Sequence, residues 1–390
     1  MLSGLLKNKK CSWPEKLLRL VFFFFWVMLC CSFFACNHNG GFNKEKSLHL
    51  SKFRVIISDD SDDFIDLKHL DYDSKGKAVY GLYFGMQRNM ARHYYKLSLT
   101  SPYEISILGM MGQGPDKLKN PPLSIRFLDD LVMVGSGKTI KLFDRNENFV
   151  NIIDGLPVYP ADFYFKDGIL SLLTVRYVHQ AKDEDDVFLK YDIGNKRILK
   201  SIKFGDIKRA FEKNGIDFSK LEAYTSFEGK VINEDVAVIS IPFTNLFNRN
   251  AYAILNLKSG KINFFKAENC YKQSTYSVPF RSSVNKDCFF IIENRVIPPE
   301  TTKNLREKER EKMLLKLIKE PLSFCVHRVN ISGKEEKNYC FNVDVKDILV
   351  ARCHGLIEIE PGKFVLSVRF TRRDDYTDAI ILWDARETKL

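Results

Sequence analysis

Cysteine and tryptophan are scarce, with nine Cys and three Trp in 390 residues. So thin a thiol content excludes a disulfide-dense mini-protein scaffold. No CxxC pair occurs, which leaves a zinc or dithiol redox motif without support. The seven His (38, 49, 69, 93, 179, 327 and 354) are scattered, with no HExxH and no i, i+4 pair to hold a metal. A serine hydrolase has no local support either, because no Gly-x-Ser-x-Gly elbow is present. Long amphipathic helical runs are missing apart from two short pieces. An aromatic share of 13% excludes a disordered chain.

What the chain has is phenylalanine and positive charge. Its 31 Phe and 16 Tyr lean it toward strands. The net charge of +11 points to anionic partners, but four of those units sit in a segment outside the fold. Residues 1–19 carry Lys7, Lys9, Lys10, Lys16 and Arg19 against Glu15 alone. An uncharged run, Leu20 to Cys36, follows. A basic stretch, a short apolar stretch and a small residue before a cut site form an export signal. The run is shorter than the roughly 20 residues that span a bilayer. Its end, Ala35-Cys36, resembles a bacterial lipobox, with Cys36 as the lipidated mature N-terminus, although Phe34 is bulkier than usual there. The alternative is an uncleaved anchor helix with its basic end in the cytoplasm. Both readings put the rest of the chain, still basic at +7, in the cell envelope outside the inner membrane.

Beyond a polar tether at 37–50, the body repeats. Six hairpins, YKLSLTSPYEI, IKLFDRNENFV, LKYDIGNKRIL, AILNLKSGKINF, HRVNISGKEEKNY and IILWDARETKL, turn at Ser98, Asp144, Asp192, Asn256, Asn330 and Asp384. Their intervals are 46, 48, 64, 74 and 54 residues, and the long ones hold helical insertions at 205–222 and 299–320. A period near 45–50 with one hairpin per unit is the pattern of a four-stranded propeller blade. The last unit, with LIEIE, KFVLSVRF and AIILWD, ends one strand short. FRVIIS (53–58) can fill that gap and leave no free edge. The expected fold is an all-β, six-bladed β-propeller over 51–390, closed by N- and C-terminal strands. It is one domain, expected as a monomer.

The Ala35-Cys36 site, the six hairpins and the stretch ILGMMGQGPDKLKNPP at 107–122 together resemble the TolB-like six-bladed propeller lipoproteins of Bacteroidetes-type bacteria. In that group a Gly-x-Gly-Pro turn links an early pair of blades, here Gly112 to Pro115. The resemblance implies a surface lipoprotein. It carries over no catalytic residue.

Other motifs read as structure. Gly135-Ser136-Gly137-Lys138-Thr139 ends like a phosphate-binding loop, but Val132 stands where the first Gly is needed and strands flank it on both sides. Gly109 to Gly114 echoes a dinucleotide fingerprint without the surrounding βαβ pattern. No cofactor is expected. Asp59–Asp63 and Asp183–Asp186 lack calcium-loop spacing and read as solvated turns. Cys325 and Cys340 flank the Ser332-Gly333 turn symmetrically, so a bridge and two buried thiols both stay open.

In such a ring, the loops joining second to third strands share a face with the links between blades. That face is expected to collect Arg88, Arg92, Arg176, His179, Arg249, Arg372 and Arg373. Arginines gathered there would favour a carboxylate-bearing partner, namely an anionic glycan, a peptide or an envelope protein, and not nucleic acid. The expected function is therefore a lipid-anchored binding module. The rival is a propeller enzyme, a hydrolase or lyase on sugars or lactones, with its site in the central channel.

Overall fold

The computed structural model describes residues 54–59, 67–83, 93–101, 103–109, 112, 114, 116–174, 178–220, 227–240, 251–267, 274–295, 309, 322–343, 350–371 and 376–386. After β1 (Arg54–Asp59), the first blade is β2 (Leu67–Asp73), β3 (Ala78–Tyr83), β4 (Tyr94–Ser98) and β5 (Ile105–Leu108). The second holds β6 (Pro122–Leu128), β7 (Leu131–Ser136), β8 (Thr139–Phe143) and β9 (Phe149–Ile153), and the third β10 (Pro160–Lys166), β11 (Ile169–Thr174), β12 (Asp186–Asp192) and β13 (Arg197–Lys203). The fourth holds β14 (Glu228–Val231), β15 (Val236–Ser240), β16 (Ala251–Asn256) and β17 (Lys261–Lys266). In the fifth the innermost strand is split into β18 (Ser274–Tyr276) and β19 (Phe280–Arg281), both paired with β20 (Cys288–Arg295), before β21 (Leu322–Asn330) and β22 (Glu335–Val343). The sixth has β23 (Val350–Glu360), β24 (Lys363–Thr371) and β25 (Tyr376–Asp384).

Six antiparallel sheets result, and β1 completes the last by pairing with β25 from Arg54↔Leu382 to Asp59↔Asp378. The expected closure is there.

Alternation along the strands gives each sheet two apolar faces, so the core divides into layers between blades. One buried cluster lies between every neighbouring pair. The cluster that closes the circle packs Leu67, Val79 and Leu97 of the first blade against Ile357, Val365 and Ile380 of the sixth. Burial of such side chains stabilises each interface by about 1.5–3 kcal/mol per large residue. The insertion after β13 forms α1 (Phe204–Lys213) and a 3-10 turn at Phe218–Lys220. Phe204, Ile207 and Phe211 tuck into the layer between the third and fourth blades. The insertion at 299–320 lies, apart from Glu309, outside the described residues.

All six turn residues stand where their third strands end, and each side chain accepts a backbone N–H from its own turn. Ser98 Oγ accepts from Thr100, Asp144 Oδ1 from Asn146 and Asn148, and Asp192 Oδ1 from Asn195. Asn256 Oδ1 accepts from Ser259, Asn330 Oδ1 from Ser332 and Lys334, and Asp384 Oδ1 from Arg386. Short polar side chains are favoured there because they replace a backbone acceptor. The repeat seen in the sequence is this turn.

Gly137 and Lys138 are the two-residue turn between β7 and β8, with Gly137 at φ +62°. Gly112 and Gly114 lie in the link from first to second blade, where Gly112 N–H donates to Leu118 O. Asp183 and Glu184 are exposed in a turn. Cys325 and Cys340 face each other across β21 and β22 and are bridged. Cys288 and Cys353 are buried and take no part in a disulfide.

Candidate functional site

Innermost strands converge on the ring axis, and in each of the six blades that strand carries an ionisable residue. Across the axis they form one buried network. Asp162 (β10) binds Arg281 (β19) at 2.9 and 3.1 Å and accepts the Val231 N–H (β14) at 2.8 Å. Asp71 (β2) accepts the Phe127 N–H (β6) at 3.1 Å and stands 3.4 Å from Arg281. Arg126 (β6) lies 3.8 Å from Asp162 and 3.9 Å from Asp71, and donates to the carbonyls of Phe163 and Val231. Glu358 (β23) ties in the sixth blade by accepting from Ser282 Oγ and the Gly362 N–H. Burial pushes the Asp162 carboxyl up, but Arg281, Arg126 and Lys230 hold it below the usual range. Burial and Arg281 lower Arg126 to about 10, so it stays charged at neutral pH. Each of the two acids is met by guanidinium.

A second group stands above this hub. Inner strands enter from the face where the inter-blade links gather, so their first residues lie nearest that face. His69 is third in β2, Glu228 first in β14 and His354 fifth in β23. Both histidines sit at bulges. Lys68 pairs with Leu82 and Asp71 with Tyr80, which leaves His69 and Leu70 opposite Gly81 alone. His69 takes φ +56°, a left-handed conformation uncommon outside Gly, Asn, Asp and His. A Cβ on Gly81 would stand 2.8 Å from Leu70 Cδ2, so a larger residue there would require that side chain to shift. His354 is the extra residue between Cys353 and Gly355. Bulges re-aim side chains and gather next to functional sites.

His69 Nδ1 meets Lys230 Nζ at 2.5 Å. Burial pulls the Lys230 ammonium down to about 7, with Arg281, Arg126 and Lys68 adding to the fall against the pull of Asp162. His69 is pushed well below its ordinary value by burial, then by Lys230, Lys68 and Arg281. His354 falls to about 4 through burial and the nearby Arg369, Arg352 and Lys68. Burial raises Glu228, with Lys68 and Lys230 opposing. Lys230 is buried, whereas His69, His354, Lys68 and Glu228 are half-buried.

Sequence reasoning missed this centre. The legible signal was a column of charged residues in otherwise apolar first strands: LKHLDYD, PLSIRFL, PADFYFK, EGKV and VARCHGLIEIE. Of the residues it did single out, Cys36, Arg88, Arg92, Arg176, Arg249, Arg372 and Arg373 lie outside the described residues. His179 is exposed in the connection from β11 to β12.

Among the described residues, one set of three potential metal ligands converges, namely Glu293, Cys325 and His327 inside the fifth blade. It does not suit a metal, because the Cys325 sulfur is bonded to Cys340 and His327 Nε2 is paired with Glu293 at 3.1 Å. Glu335 contacts the other ring nitrogen at 3.3 Å and also lines a 700 Å³ groove between β17 and β22.

No protein-family model matches the chain, and no curated protein matches it in sequence. Among solved structures it is similar to a protein of unknown function from Dyadobacter fermentans, at 10% identity and a TM-score of 0.49, over 86% of this chain and 99% of that one. It is also similar to a member of the DUF4221 family from Bacteroides vulgatus, at 9% identity and TM-score 0.47, over 85% and 99%. The WD40 propeller domain of Doa1 follows at 10% identity and TM-score 0.38, over 85% and 97%.

Proposed function

We propose that this propeller is an envelope binding module, held to the membrane by lipid on Cys36, with the loop-rich face as its recognition surface. The observation that carries the reading is the hub. Asp71 and Asp162 are both neutralised by the chain's own Arg126 and Arg281, so these axial carboxylates are not free to act as a metal or acid–base pair. A rigid ring with its axis sealed in this way supports recognition by loops. The TolB-like pattern and the basic loops favour an anionic glycan or an acidic envelope protein as partner. Substituting Arg372 and Arg373 by Ala should lower the salt at which the protein elutes from a polyanionic glycan resin, with melting unchanged. Elution at the original salt would count against the surface. Mass spectrometry of the mature N-terminus should find acylated Cys36, and an intact Met1 would refute the anchor.

The enzyme reading keeps one foothold, the group of Lys230, His69 and Glu228 at the mouth of the channel. Turnover of a sugar lactone that disappears in Lys230→Met would establish it.

A further inference from the structure

We propose that the fifth blade holds a metal site that its own disulfide keeps closed. Once a dithiol reduces the Cys325–Cys340 bond, the Cys325 thiolate, His327 Nε2 and the Glu293 carboxylate bind a divalent cation of the zinc class.

Sheet register gathers the ligands. Glu293 of β20, Cys325 of β21 and Cys340 of β22 are successive cross-strand partners, so their side chains leave the same face of the blade. His327 stands two residues along β21 and shares that face. Residues of the same alternation, Phe289, Ile291 and Val329, pack against the fourth blade, which identifies the face. On it the Cys325 sulfur, a His327 nitrogen and a Glu293 oxygen all lie within 4.8 Å of one another, and the three residues are buried. Ligand atoms about 2.0–2.3 Å from a tetrahedral zinc stand roughly 3–4 Å apart, so closing the set needs only a rotation of the released Cys325 side chain.

The histidine is already mounted as a ligand. Its Nε2 meets Glu293 at 3.1 Å and its Nδ1 meets Glu335 at 3.3 Å. A metal-binding histidine characteristically holds a carboxylate at the ring nitrogen turned away from the ion, and Glu335 stands in that place.

The donor set selects the ion. Thiolate and imidazole suit zinc-like cations, whereas magnesium and calcium prefer oxygen ligands alone. One thiolate, one carboxylate and a neutral imidazole balance a divalent charge, so the loaded site is neutral, as burial requires. While the bridge stands, Cys325 has no thiolate to offer and the site is closed. Reduction moves two electrons and two protons from the dithiol to the bridge, leaving two thiols on the chain and a disulfide on the reductant. The metal then displaces the Cys325 thiol proton and the proton held between His327 and Glu293.

The lock can be reached from outside. Cys340 is only half-buried. The groove between β17 and β22 is lined by Glu335 and by Asn338, the cross-strand partner of His327.

The test is optical titration of the full chain in detergent with cobalt(II), a coloured stand-in for zinc. Wild type reduced with a phosphine, which brings no thiol of its own, should gain a thiolate-to-cobalt band that Cys325→Ser lacks. Cys340→Ser, unable to form the bridge, should show the band without any reductant. In that background His327→Gln should abolish the band, and Glu335→Gln should weaken binding about 10–100-fold. If Cys340→Ser does not fold, reduced wild type and its His327→Gln variant give the same comparison. Zinc should also raise the melting temperature of the reduced chain and leave that of the bridged chain unchanged. No band from either form with a free Cys325, a band untouched by His327→Gln, or equal zinc stabilisation of bridged and reduced chains would each overturn the site. None of these variants touches the loop arginines, so the partner surface is tested separately.

Discussion

Two histidines occupy opposite electrical surroundings. At the channel mouth His69 sits against a lysine above two arginines, and its imidazole is driven toward the neutral form. Inside the fifth blade, His327 lies between Glu293 at 3.1 Å and Glu335 at 3.3 Å. Burial opposes its charging, yet the hydrogen bond it donates to Glu293 and the pull of Glu335 raise it above its ordinary value. One histidine is driven toward its neutral form among cations, and the other is drawn toward its charged form between two carboxylates. The difference shows where this ring spends its charge. Ions in the blade close a local gap between adjacent strands, whereas ions at the axis bind blades that are far apart in sequence.

The axis should therefore be the more fragile region. Asp162→Asn keeps the shape but leaves Arg281 and Arg126 without a full counter-charge, and Asp162 is entirely buried. Breaking a buried pair on one side costs about 3–5 kcal/mol. Urea unfolding should register a loss of that order. Lys230→Met, which removes a cation from the same surroundings, should by contrast be neutral or stabilising at pH 7. Equal losses in the two variants would break the idea that the axis carries excess positive charge.

The covalent feature of the fifth blade comes next. Cys325 and Cys340 are 15 residues apart, and closing such a loop in the unfolded chain is worth about 3 kcal/mol. Cys325→Ser with Cys340→Ser should lower the urea midpoint accordingly. The cost of Asp162→Asn should be the same in that background. A linked change at both places would show that the two regions are coupled.

These regions also differ in how far the sequence reveals them. Turn residues such as Asp144 and Asn330 act on N–H groups two to four positions away, so the repeat exposes them directly. The Cys325–Cys340 pairing lies within one hairpin, and the turn already places its members opposite each other. Hub contacts bridge 119 residues from Arg281 to Asp162 and 211 from Arg281 to Leu70. No local pattern records such a distance. His69 is hidden for a further reason, since the bulge breaks the alternation of LKHLDYD and buries both Leu67 and Leu70.

The pH response separates the two histidines by the sign of its slope. His327 has a raised folded value, so its contribution is complete below the unfolded value near 6.5 and is lost as pH rises through the folded one. His69 has a lowered folded value, so it contributes above about 6.5 and loses that contribution as pH falls. NMR titration should find one imidazole charging late on acidification and the other early. His327→Gln should flatten the stability lost as pH rises above about 6.5, and His69→Asn should flatten the loss as pH falls below about 6.5. Two histidines titrating together would erase the contrast.

The smallest effect belongs to the rim. Asn330 ends β21 and accepts from Ser332 and Lys334 at 3.0 Å each, while Ser332 Oγ also donates to it. Asn330→Ala removes this acceptor, but the turn is solvent-facing, so water can satisfy the released N–H groups. A net hydrogen bond of this kind contributes roughly 0.5–1.5 kcal/mol. The loss should sit at that level and should not reach the cost of Asp162→Asn. It should also add to that cost in a double variant, since the turn shares no partner with the hub. A clearly non-additive result in denaturant unfolding would mean that the rim transmits strain to the axis. An additive one would mean that the turns which reveal the blades are, one by one, among the least costly parts of the ring to lose.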